Sequence, residues 1–204
     1  MPASFPDRLA AAQRSNRSTV ALALSPRLLR MPLPMQRYDD PFLPFGKAII
    51  AATRDVVCAY VFDLAAYLAL GAAGAVALER TIAYARADGV LTILHGPFAS
   101  ADYVEAAGES AFAVDAVTVT DEQYLEPYTS HPAQGAFVVR RGEAPVIVPL
   151  PGSAGVYWQD ADLFTLLTPA GYSLRVQVAG ERTLYAGRGD DFAQRVRAAL
   201  EALR

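Results

Sequence analysis

The segment GVLTILHGPFASADY, residues 89–103, places a histidine directly after a run of apolar residues. Residues 90–94 predict a buried strand, so His95 would lie where that strand ends and the chain turns. Asp63 and Asp121 stand at the ends of two other predicted strands. The carboxyl ends of parallel strands meet at one edge of an α/β fold, and catalytic groups collect there. An imidazole with two carboxylates could carry out acid–base chemistry, and the alternative interpretation is a solvated histidine at the end of a strand.

The bulk composition is that of a packed globular protein. The chain has 204 residues, 53% of them hydrophobic, which is enough for one sizeable core and predicts a single domain over residues 1–204. The net charge of −3, without a stripe of Lys or Arg, argues against nucleic acid as a partner. The only cysteine, Cys58, lies in an apolar run, and no run reaches the roughly 18 residues that span a bilayer. We therefore expect a cytoplasmic protein without a membrane segment.

Apolar runs alternate with helical patterns along the first two thirds of the chain. Helices are predicted over 7–13, 45–56, 78–85, 102–113 and 191–203, and strands over 19–24, 57–63, 90–94, 116–120 and 135–139. Strands that alternate with helices pair in parallel through right-handed crossovers, so the predicted class is α/β.

The pattern changes after Arg141. Three prolines surround Val146-Ile147-Val148, and residues 173–186 alternate before a predicted turn at 179–181. These segments indicate strands without helices between them, and two such strands could pair as a hairpin. The chain ends in a helix whose predicted start is a capping pattern of Asp191 with Gln194.

Several of these segments resemble bacterial orotidine 5′-phosphate decarboxylases. Residues 37–90 are similar to the second strand of that family with its flanking helices, and DAVTVT, YLEPY and GAFVV are similar to its fourth and fifth strands. LYAGRGDDFAQRVRAALEALR resembles its C-terminal end. The resemblance implies a TIM-barrel-like (β/α)8 fold, a dimer with shared active sites, and removal of carbon dioxide from orotidine monophosphate without a cofactor or metal.

The family's catalytic signature is absent. The resemblance implies Asp-x-Lys-x-x-Asp after the third strand, where the lysine protonates the carbanion and the carboxylates position it. The aligned residues here are His95, Pro97 and Ser100. Proline has no side-chain proton and serine supplies no carboxylate charge at pH 7, so we expect no catalytic residue at these positions.

Substrate-binding positions and the C-terminal half also depart from the family. By this resemblance, Ser25 occupies the position of a ribose-binding aspartate and Val61 occupies the position of a lysine. The family's phosphate-binding arginine would fall at Glu181 or, after a one-residue slip, at Arg182. A complete barrel takes about 250 residues. We therefore predict a barrel that is shortened or incomplete in its C-terminal half. Its glycine loop, residues 152–155, is interpreted as a flexible turn.

Two functions remain open from the sequence. The first is a catalytically inactive, structural or regulatory scaffold, which forms a homodimer or a heterodimer with an active decarboxylase. The alternative is an altered enzyme, or a binder of a nucleotide or other small phosphorylated ligand, that uses Asp63, His95, Asp121 and Arg182 at the strand ends. Residual decarboxylation would lack the charged groups that such chemistry needs.

Overall fold

Eight strands close into one barrel in the computed structural model, which describes residues 3–98, 112–142 and 149–204. The strands are β1 (Val20–Leu24), β2 (Ala59–Asp63), β3 (Leu91–Phe98), β4 (Ala116–Val119), β5 (Gly135–Arg140), β6 (Ala154–Trp158), β7 (Leu163–Leu167) and β8 (Ser173–Ala179). They follow chain order around the barrel, and β8 pairs with β1 to complete it. The predicted TIM-barrel-like fold is confirmed, and the barrel is closed.

Helices surround the barrel and, in the case of the first, close its base. They are α1 (Phe5–Asn16), α2 (Phe42–Thr53), α3 (Leu64–Leu68), α4 (Gly71–Ala87), α5 (Glu126–Thr129), α6 (Glu181–Leu184) and α7 (Phe192–Glu201). β1 to β6 are parallel neighbours, and the alternation predicted this arrangement for β1 to β5. The strand predicted at 146–148, and most of the helix predicted over 102–113, lie outside the described residues.

β7 runs antiparallel to both β6 and β8. The two turns that reverse the chain contain residues with positive φ, Asp162 at 48° and Gly171 at 81°. The hairpin anticipated from the sequence therefore has its turn at 168–172, where the Thr168 N–H donates to the Tyr172 carbonyl at 2.8 Å. The turn predicted at 179–181 is wrong, because Ala179 ends β8 and Gly180 precedes α6.

Gly155 belongs to β6, so the flexible turn predicted for the glycine loop is wrong at this residue. A Cβ on Gly155 would lie 2.4 Å from the Thr165 carbonyl oxygen and 2.8 Å from the Phe137 ring. Only a residue without a side chain allows β6, β7 and the interior aromatic ring to approach this closely. Gly152, with φ of 63°, is a turn residue.

The N-terminal helix closes the bottom of the barrel. Phe5 and Leu9 of α1 are fully buried in the same apolar cluster as the barrel interior. The Phe5 ring packs edge to face against the Phe137 ring, with centroids 5.9 Å apart. The backbone N–H of Phe5 donates to the Pro132 carbonyl at 2.8 Å. Arg8 anchors the helix through a 2.5 Å ion pair with the buried Asp115.

The last helix begins where the sequence predicted, but without the predicted cap. Asp191 occupies the N-cap position of α7 and makes no side-chain capping bond. Its carboxylate instead accepts a 2.8 Å hydrogen bond from Arg195 Nε, one turn further along the helix. Among the described helices, none is both long and apolar enough to cross a membrane.

Replacing Phe5 with Ala should lower the free energy of unfolding by about 3–5 kcal/mol, because it opens a cavity at the base of the barrel. Tyr172→Ala is the matched control, since this ring is 72% exposed and should contribute within about 0.5 kcal/mol. Urea unfolding followed by circular dichroism measures both. A loss below about 1 kcal/mol for Phe5→Ala would show that α1 is not part of the core.

Candidate functional site at the barrel mouth

The carboxyl ends of the strands surround a cavity of about 260 Å³. Its polar lining consists of Ser25, Asp63, His95, Tyr157, Asp162 and Glu181. Two of the side chains predicted for a strand-end site, Asp63 and His95, are therefore brought together, and they are direct register partners on β2 and β3. The cavity is smaller than the roughly 300–1,000 Å³ of ordinary small-molecule sites.

The other two predicted ligand-binding residues do not line this cavity. The Asp121 carboxylate accepts a 3.1 Å hydrogen bond from the Gln123 N–H and caps a short 3₁₀ turn. Arg182 is exposed on α6. Of the positions aligned with the family signature, Ser100 lies outside the described residues, and the structure describes the backbone alone at Pro97.

His95 is held by a hydroxyl on the neighbouring strand. Its Nδ1 lies 3.1 Å from Thr118 Oγ1, and the Thr118 hydroxyl also lies 3.2 Å from the Gly96 carbonyl oxygen, to which it donates. Because the Thr118 hydroxyl donates its proton to the Gly96 carbonyl, it can only accept from His95. Nδ1 of His95 therefore carries the proton and donates to Thr118, and Nε2 is an acceptor. Burial lowers the pKa of His95 from its ordinary 6.5, whereas the negative charges of Asp63 and Asp162 act in the opposite direction and raise it. His95 is therefore a neutral imidazole at pH 7.

Tyr157 and Asp162 form a second polar pair at the mouth, which the sequence did not predict. The Tyr157 hydroxyl donates to the Asp162 carboxylate at 3.0 Å, and burial together with this carboxylate raises the pKa of Tyr157. The Tyr157 ring stacks on Phe164 with centroids 4.3 Å apart and meets the His95 ring edge-on at 5.2 Å. Aromatic rings therefore form the floor of the cavity.

The carboxylates of the mouth already have partners within the protein. Asp63 accepts a 3.1 Å hydrogen bond from the Ala66 N–H and caps α3. Glu181 pairs with two arginines of the segment after β1. No Lys or Arg lines the cavity among the residues that the structure describes. An anion entering it would meet like charge, at about 4 kcal/mol per pair at 4 Å and an effective dielectric constant of 20.

The only lysine in the whole sequence is Lys47. It is exposed on α2, and its Nζ lies 5.0 Å from the centre of the Tyr84 ring on α4. These two helices pack against each other outside the barrel. Lys47 therefore does not supply its ammonium group to the mouth. The described residues also hold no cluster of three or more His, Cys, Asp or Glu side chains suited to a metal ion.

A closed eight-stranded barrel with its polar cavity at the strand carboxyl ends defines a TIM-barrel-like protein. No family model matches the chain. Among curated proteins, it is 35% identical over 147 residues to orotidine 5′-phosphate decarboxylase of Herpetosiphon aurantiacus, covering 69% of this chain and 55% of that protein. It is 37% identical over 149 residues to the Thermomicrobium roseum enzyme of that name, covering 70% and 53%.

Solved structures agree with this similarity. The OMP (orotidine monophosphate) decarboxylase of Leishmania donovani superposes with a TM-score of 0.68 over 98% of both chains, at 16% identity, which shows a shared fold. The chain is a homologue of the orotidine 5′-phosphate decarboxylase family. It spans about half the length of the curated relatives it matches.

The imidazole of His95 should titrate below pH 6.5 in the folded protein. Because the unfolded chain then binds more protons, the stability from this group is complete above pH 6.5 and declines as the pH falls below it. Asp63→Asn should lower the midpoint further, since the Asp63 charge favours the imidazolium. Asp55→Asn, before the opposite end of β2, should leave it unchanged. NMR titration of the His95 ring measures these midpoints, and a midpoint above 6.5 would contradict the described environment.

Proposed function

We propose that this protein is a catalytically inactive relative of orotidine 5′-phosphate decarboxylase that acts by association, as a structural or regulatory scaffold. A cytoplasmic location, expected from its single cysteine, is part of the same proposal. The observation that carries it is the placement of the chain's only lysine on an outer helix, away from the mouth. The resemblance assigns proton donation in this family to a lysine beside the scissile carboxylate.

The groups that do reach the mouth are poor replacements for that lysine. His95 is a neutral imidazole at pH 7, because burial lowers its pKa. Tyr157 is a weaker acid than an ordinary phenol, because burial raises its pKa. Neither side chain is a cation that could stabilise a developing carbanion in a water-excluded site. The scaffold is preserved because burial requires only apolar pattern and volume, which do not depend on the ionic groups.

Binding of a phosphorylated ligand within the mouth gains no support from its lining. Such a ligand carries a dianionic group, whereas the cavity is lined by three carboxylates and, among the described residues, by no cation. The roughly 260 Å³ cavity is also small for a nucleotide. The scaffold is therefore the better-supported function.

An exposed apolar face supports association. A groove of about 540 Å³ lies between the segment after β1 and α3, lined by apolar residues that include Leu28, Phe42 and Leu70. Leu29, which is 98% exposed, lies on the lining of this groove, and Leu33 and Leu68 are also exposed. Apolar patches of this kind mark interaction sites. A second copy of the chain fits best, because a two-fold contact would let each protruding Leu29 enter the groove of its partner.

Decarboxylation of orotidine monophosphate should be undetectable at high protein concentration. Loss of one electrostatic contact alone costs about 10²–10³ in kcat, and here the lysine and both carboxylates of the signature are replaced. The loss of substrate absorbance at high protein concentration, with an active decarboxylase as the positive control, measures this. Turnover that disappears in His95→Ala would contradict the proposal.

Leu29→Arg should convert the protein from a dimer to a monomer, because it puts a charge at the centre of an apolar contact. Tyr172→Arg is the matched control, since Tyr172 is also exposed and lies at the opposite end of the barrel. Sedimentation equilibrium should give twice the 21.8 kDa chain mass for the wild type and the control. A monomeric wild type would remove the homodimer. Co-purification with an active decarboxylase would then identify the heterodimer.

A further inference from the structure

The mouth cavity is lined by polar atoms that have no partner in the described part of the chain. Ser25, directly after β1, is only 9% exposed and lines the cavity, and its hydroxyl makes no hydrogen bond to a described residue. His95 uses Nδ1 for Thr118, which leaves the acceptor Nε2 without a described partner. Asp162 uses Oδ1 for the Tyr157 hydroxyl, which likewise leaves Oδ2. Because polar groups that stay unpaired out of water are costly, these atoms favour a ligand that donates hydrogen bonds.

Asp162 is the carboxylate of the mouth whose charge is not balanced. Glu181 forms ion pairs with both Arg27 and Arg30. The pKa of Arg27 is raised chiefly by Glu181 and, more weakly, by the charge of Asp63. Two guanidiniums and two carboxylates therefore cancel, and one negative charge remains on Asp162. Since no Lys or Arg lines the cavity among the described residues, a ligand with a single positive charge would balance it.

The rest of the cavity suits a short apolar chain. Val61 and Val178 line it beside the ring of Tyr157, which stacks on Phe164 below. The volume of about 260 Å³ is below that of drug-sized sites, so the ligand has few heavy atoms. The described residues hold no side-chain cluster suited to a metal ion. An organic cation therefore fits this lining better than a metal ion does.

We propose that the mouth cavity binds a small primary alkylammonium ion. An ammonium group has three N–H donors and no acceptor, which matches the Asp162 carboxylate, the Ser25 hydroxyl and Nε2 of His95. The bond to the carboxylate is charge-assisted and is the strongest of the three. The alkyl chain would lie against the valines and the tyrosine ring. This inference goes beyond the proposed function, because a scaffold that associates through its outer groove requires no ligand in the mouth.

The test is titration of the wild-type protein with n-butylammonium chloride at pH 7, followed by NMR of the His95 ring. We expect a saturable shift of the ring resonances with a Kd of about 1 mM or lower. The ligand 1-butanol has the same chain without the charge. It should produce no saturable shift up to about 20 mM, because it cannot balance Asp162.

Two variants test the assigned contacts. Asp162→Asn should weaken n-butylammonium binding by at least about tenfold, because it removes the charged acceptor. Asparagine tolerates the left-handed φ of 48° at this position, so the turn should persist. Ser25→Ala should weaken binding by about twofold to tenfold, because it removes a neutral hydrogen bond. Asp160→Asn is the matched control, since its exposed carboxylate lies in the same turn and accepts from the Gly142 N–H at 2.7 Å, outside the cavity.

Three results would overturn the site. They are the absence of a saturable His95 shift in the wild type, an equal response to 1-butanol, and equal affinities of Asp162→Asn and Asp160→Asn. A dimer by sedimentation with no amine binding would remove this inference alone, and a monomer that binds the amine would remove only the homodimer. Nα-acetyl-lysine amide carries the same ammonium group on a longer molecule. Tighter binding of this compound would identify a lysine of another protein as the occupant, and equal or weaker binding would identify a free amine.

Discussion

The closure of this barrel depends on the antiparallel strand β7, which is inserted between β6 and β8. Without it, both neighbours would expose unpaired backbone groups, which is costly for a sheet surrounding an apolar interior. Its insertion requires Gly155, because a Cβ there would collide with the Thr165 carbonyl and the Phe137 ring. The helices that connect the earlier strands are replaced at this point by two short turns, and an eight-stranded barrel still closes.

The same strand determines the chemistry of the mouth. The turn between β6 and β7 carries Asp162, and β6 carries Tyr157, so the reversal of the chain places this hydrogen-bonded pair beside His95. β8 then delivers Glu181 to the arginines after β1. The interior below is closed by aromatic rings and by α1. Apolar contacts hold the barrel together, whereas the charged side chains lie at its mouth. The charged groups can therefore change without loss of the fold.

The sequence predicted β1 to β5 to within a few residues, because each is a short apolar run bounded by helical periodicity, but it did not predict β6, whose first residues were interpreted as a flexible turn. It did not place the last turns, because Asp162 adopts a left-handed φ without being a glycine and so leaves no sequence signal. Asp162 was missed for the same reason, and Tyr157 was missed because no strand was predicted at β6. The pairing of Glu181 with Arg27 depends on contacts between distant segments that periodicity does not encode. Asp121 was placed at the mouth because it follows a strand, and Arg182 because the family resemblance puts an arginine there, but Asp121 caps a turn and Arg182 is exposed. The single lysine, Lys47, was a readable signal, since a chain with one lysine on a predicted outer helix has none for its mouth.

We propose that this barrel keeps the family fold with a mouth that does not accept the family's nucleotide. Titration of the wild-type protein with uridine 5′-monophosphate in an isothermal calorimeter tests it most directly, because the product carries the base, ribose and phosphate that such a mouth would hold. We expect no heat beyond dilution up to about 1 mM nucleotide, which corresponds to a binding free energy weaker than about −4 kcal/mol. A saturating isotherm with one site per chain and a Kd below about 100 µM would contradict the account.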